Sequence, residues 1–98
     1  MTVTSVSRWS GGSREQVASI GKKLKPIVQK LGGEYRASQV HTGPGTGDFL
    51  ALLVFSDWAA YGAGVQALYN DPAFHEILAE ARAVGKLVDR TILVSVDL

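Results

Sequence analysis

Apolar and polar positions fall along this chain in two rhythms, one of period two and one of helical spacing. The clearest stretch breaks both: Phe49-Leu50-Ala51-Leu52-Leu53-Val54-Phe55 is apolar at every position. Such a run predicts a strand buried on both faces, so something must cover each side of it. Ahead of it, Thr2 to Trp9 alternates, with Val3, Ser5, Ser7 and Trp9 on one side and Thr4, Val6 and Arg8 on the other. Gly11-Gly12 ends that strand. Ser13-Arg14-Glu15-Gln16 then fits a capping box, with Ser13 as N-cap and Gln16 reaching back. Behind it Val17, Ile20, Leu24, Ile27, Val28 and Leu31 recur at helical spacing, one stripe about 100° wide. Pro26 points off that stripe, which predicts a gentle kink and not a break. Glu34 to Thr42, after Gly32-Gly33, predicts a strand too polar for a sheet centre and suited to an edge.

The second half repeats the plan. Asp57 is a suitable N-cap, and Trp58, Tyr61, Val65, Leu68 and Tyr69 repeat the spacing of the first helix's stripe. Gly62 lies at the edge of that stripe, where a missing side chain allows close approach to the sheet or space for a ligand. Asn70-Asp71-Pro72 breaks the helix and restarts it with an N-cap followed by proline in the first position. Phe74, Ile77, Leu78, Ala81 and Val84 carry the stripe on to Gly85. Arg90 to Leu98 predicts the last strand, with Ile92, Val94, Val96 and Leu98 on one face.

Composition narrows the possibilities. Ninety-eight residues make one domain spanning 1–98. Net charge is +1, too small for a nucleic-acid footprint. Without cysteine there is no disulfide, thiolate nucleophile or cysteine-based metal site. The opening residues lack the charged start and apolar run of a secretory signal. No apolar run approaches the ~20 residues of a membrane span. A soluble, cytoplasmic protein is the expectation. The loop Gly43-Pro44-Gly45-Thr46-Gly47 lacks the Gly-Lys-Ser/Thr ending of a phosphate-binding loop and leads into a strand, so it is read as a hairpin turn.

The order β-α-β-β-α-β, with right-handed crossovers, places both helices on one face of a four-stranded antiparallel sheet, an α+β, ferredoxin-like arrangement. The other face is left bare although the third strand is apolar on both sides, and a second copy of the chain is its simplest cover. At Phe49–Phe55, Asp57-Trp58 and Asn70-Asp71-Pro72-Ala73-Phe74 the sequence resembles the dimeric α+β barrel superfamily. It is most similar to the antibiotic-biosynthesis-monooxygenase, stress-responsive and NIPSNAP-like members, mostly of unknown function. The resemblance implies two sheets packed into a barrel in a homodimer, with the possibility of larger assemblies, and ligands held between sheet and helices.

Chemistry is thinner. In haem-degrading members of the superfamily the ligating histidine follows the helix break by several residues. Leu78 stands at that position here, while His75 directly follows Phe74 on the flank of Arg82. With no cysteine and no paired histidines, neither a haem nor a metal nor another cofactor is expected. Trp58 and Tyr61 share the sheet-facing stripe and are the ligand-binding candidates, with His75 beside them; core packing is the plainer account of the aromatics. His41, after a polar strand, is the one candidate proton carrier. Three functions are expected in turn: a homodimer of unassigned activity binding a small hydrophobic or aromatic molecule, a cofactor-independent monooxygenase or isomerase, and a structural or stress-related dimer without a ligand.

Overall fold

The computed structural model describes residues 1–98. Its elements are β1 (Val3–Ser10), α1 (Arg14–Lys30), β2 (Glu34–Gln39), β3 (Phe49–Phe55), α2 (Trp58–Tyr69), α3 (Pro72–Val84) and β4 (Lys86–Val94). The four strands form one antiparallel sheet in the order β2-β3-β1-β4, the ferredoxin-like order.

Local chemistry accounts for the element ends. Ser13 accepts from the Gln16 backbone N–H while the Gln16 side chain accepts from the Ser13 N–H, closing the capping box. Asp57 and Asp71 cap α2 and α3 through the N–H groups of Ala60 and Ala73. α1 runs unbroken through Pro26. Gly32, at φ +80°, turns the chain out of α1 in the left-handed conformation that glycine adopts without strain.

The core lies between the sheet and the three helices. Val3, Val28, Phe55 and Leu68 are its fully buried side chains. Phe55 sits where α2 comes nearest: a Cβ on Gly64 would run into its ring, and one on Gly33 would stand 2.7 Å from it. The close approach is thus made at Gly64. Gly62, given that part from the sequence, faces open space.

Register places Val6, Leu50, Leu52, Val54 and Leu93 on the opposite face of the sheet, which no helix of the chain covers. Charged groups rim it: Arg8 bonds Asp89 at 2.8 Å beside Asp48, and Arg36 pairs with Glu34. Only 10 of the 98 residues are buried.

The last strand differs from expectation. It runs from Lys86 to Val94, beginning four residues before Arg90 and ending four before Leu98. A bulge between Arg8 and Trp9 shifts the β1–β4 register, so alternation along β4 is regular only from Asp89 onward. Beyond Val94, which pairs with Val3, the ladder closes on one residue: Ser95 N donates to the Thr2 carbonyl at 3.0 Å and Thr2 N donates to Ser95 Oγ at 2.8 Å.

Candidate functional site

Between sheet and helices lies a cavity of about 130 Å3, partly open to solvent. The size is close to that of a buried cavity of roughly 150 Å3 that accommodates benzene. Its floor is the helix-facing side of β1 and β3, with Ser5, Ser7, Trp9, Ala51 and Leu53. Its roof comes from the inner stripes of α1, α2 and α3, including Leu24, Tyr61, Val65, Leu68, Ile77 and Leu78. The walls are apolar apart from a few groups, and Arg90 is the only charged residue among them.

Arg90 comes from β4, opposite Ser7 of β1. It forms none of the chain's ion pairs, and its single hydrogen bond is a long one, Nη1 to the Tyr69 hydroxyl at 3.3 Å. Tyr69 ends α2, and its ring is held edge-on to Phe74 at 6.0 Å. On the α1 side the Tyr35 ring lies against Gly21, where a Cβ would stand 3.2 Å from it. Burial pushes the Tyr35 phenol above its ordinary value of 10.0, so it is neutral at any physiological pH.

The residues singled out in the sequence are distributed unevenly. Tyr61 lines the cavity, edge-on to Phe55 at 5.9 Å. Trp58, expected beside it on the sheet, is 51% exposed and off the cavity wall; as the first residue of α2 it packs edge-on to the outside of Tyr61. His75 is exposed and also off the wall: its Nε2 meets the Tyr69 carbonyl at 2.7 Å, spanning the joint between α2 and α3. Leu78 is a cavity residue. His41 lines a different recess, with Arg14, Gln39, Thr46 and Gly47 at the end of the sheet. No cluster of three or more histidine, aspartate or glutamate side chains is placed to hold a metal ion.

Arg90, Ser5 and Ser7 were not singled out from the sequence. The signal was present in the alternation: two serines share a strand face with Val3 and Trp9, and Arg90 shares one with Ile92 and Val94. Polar groups on an apolar face are where a cavity is to be sought.

The fold and the cavity's position define a ferredoxin-like α+β protein with its pocket between sheet and helices. The same fold is found in SnoaB, a cofactor-independent oxygenase from Streptomyces nogalater, solved as the N63A mutant (TM-score 0.71, 16% identity, 99% of this chain and 95% of that one). It is found also in a NIPSNAP family protein with unknown function from Agrobacterium tumefaciens (TM-score 0.72, 14% identity, 94% and 86%). A third is a putative antibiotic biosynthesis monooxygenase from Chloroflexus aurantiacus (TM-score 0.61, 14% identity, 99% and 95%). No protein-family model matches the chain, and no curated protein does.

Proposed function

We propose that this chain binds a small amphipathic aromatic molecule, as a homodimer, with the molecule's apolar body in the cavity and an anionic group at Arg90. One observation carries the reading: an apolar cavity sized for a single ring has one charged side chain on its wall, and that side chain has no acidic partner. An arginine in such a place can form a charge-assisted bond with a carboxylate or phenolate. The simplest probe is benzoate, titrated while backbone amide shifts are followed. Shifts should gather around Ser7, Leu53, Tyr61 and Arg90, and Arg90→Gln should weaken binding by at least about tenfold, the scale of a charge-assisted bond. Shifts scattered over the surface, or equal affinity in the variant, would sink the reading.

The dimer rests on the uncovered face. Val6, Leu50, Leu52, Val54 and Leu93 form an apolar centre with a charged rim, the anatomy of an interface core and its border. The occupant that fits is the same face of a second chain, related by a two-fold axis.

Turnover is a second reading, that of a cofactor-independent monooxygenase or isomerase. The likeness to SnoaB favours it, as does a cation beside a space where a substrate anion would form. Against it, the wall carries no imidazole or carboxylate to take a proton. Oxygen uptake above autoxidation on adding a single-ring dihydroxybenzene would establish it.

A further inference from the structure

Ser5 stands in the middle of β1, the strand paired on both sides, between Leu53 of β3 and Ile92 of β4. It is 6% exposed, the one polar side chain in the buried core, and it faces the cavity. Its hydroxyl makes no hydrogen bond within the protein. Ser7, two residues along, is partnered: Trp9 Nε1 donates to it at 3.0 Å, and its hydroxyl reaches the Ala51 carbonyl at 3.5 Å.

That hydroxyl is not sealed inside the protein but opens onto the cavity, so alanine would cost little at the same place. The cavity is the one direction from which Ser5 can be satisfied. Ser7 faces Arg90 across the β1–β4 pair, and Ser5 lies two strand positions further, roughly 6.7 Å along β1. Ser5 and Arg90 thus open onto the same cavity from different positions along the sheet, so one bound ring can present a separate group to each.

Resting on the reading of the cavity as a ligand site, we infer that the Ser5 hydroxyl is a specificity-determining contact. The cavity then takes a single-ring aromatic acid bearing a second hydrogen-bonding group, meta or para to the acid. Arg90 holds the anionic end and Ser5 reads the other; an aromatic acid without the second group binds, but less well.

The test uses three probes, benzoate, 3-hydroxybenzoate and 4-hydroxybenzoate, titrated into the wild-type protein and Ser5→Ala. The wild type should prefer one hydroxybenzoate over benzoate by about 3- to 10-fold, the worth of one neutral hydrogen bond. Ser5→Ala should erase that preference, bringing the hydroxybenzoate affinity down to that of benzoate in the same variant. Without ligand it should melt at the same temperature or higher, because no internal bond is lost. If the alanine variant does not fold, Ser5→Cys, nearly isosteric with a much weaker donor, should show the same loss of preference. Equal affinities in the wild type, a preference that survives both substitutions, or a lowered melting temperature in Ser5→Ala each overturn the inference. If benzoate binds through Arg90 and the ring hydroxyl changes nothing, this inference alone falls. If benzoate does not bind at all, the cavity reading falls and takes it along.

Discussion

Phenol groups show how single residues divide the labour around the cavity. Tyr35 is raised above its ordinary ionisation by burial alone, so the folded state resists its deprotonation. A folded pKa above the unfolded one leaves stability intact below the unfolded value of 10.0 and erodes it as pH rises past that value toward the folded one. Alkaline melts of Tyr35→Phe should therefore part from wild type only above about pH 10, with the variant the more resistant. Coincident curves there would show that the phenol is not held neutral. The Tyr61 hydroxyl makes no hydrogen bond inside the protein, and the residue lines the cavity wall. Tyr61→Phe should leave the thermal melt within about 0.5 kcal/mol, as a change at no internal bond. If its hydroxyl touches the ligand, benzoate affinity should fall by about 1 kcal/mol.

At the scale of elements the glycines of α2 give opposite forecasts. Gly64 packs on Phe55 with no room for a methyl group, so Gly64→Ala should cost roughly 1–3 kcal/mol in denaturant unfolding. Gly62 faces open space in mid-helix, and Gly62→Ala should stabilise by roughly 0.5–1 kcal/mol. Equal effects at the two sites would mean that α2 does not sit on Phe55 as described. Sequence periodicity gave the existence of α2 and its stripe, but not which glycine meets the sheet, because helical spacing is silent about where a helix crosses a strand. The same limit explains Trp58, which has the spacing of an inward residue and lies on the outside. Capping is different. Ser13, Asp57 and Asp71 act on N–H groups two or three residues away, so the helix starts were legible from local sequence alone. The β4 bounds were not, since they depend on the extra residue Val88 that β4 carries opposite Arg8 and Trp9, and on where β1 begins.

For the whole molecule the decisive surface is the bare side of the sheet. The unbroken apolar run of β3 announced it, because three helices on one face leave Leu50, Leu52 and Val54 without a cover. Sedimentation at micromolar concentration should give twice the 10.4 kDa mass of one chain. Leu52→Lys, which places a charge at the centre of that face, should shift the population toward single chains. A clean 10.4 kDa species for the wild type would remove the dimer. The cavity was far less legible than the sheet. It is assembled from all four strands and all three helices, and no local spacing in the sequence brings Ser5, Tyr69 and Arg90 together.

Tyr69 has a consequence for time as well as space. Its carbonyl is fixed by His75, yet its half-exposed ring is tied to Arg90 only by the 3.3 Å bond at the edge of the cavity. Swinging that ring aside takes a rotamer change and no backbone opening, and exposed side chains make such changes in picoseconds to nanoseconds. A one-ring guest would then come and go many times in a second, and dialysis or gel filtration would strip it away. On the proposed reading its resonances should move continuously through a titration instead of splitting into free and bound sets, so a guest is to be sought by adding candidates to the protein in solution, not by looking for what survives purification.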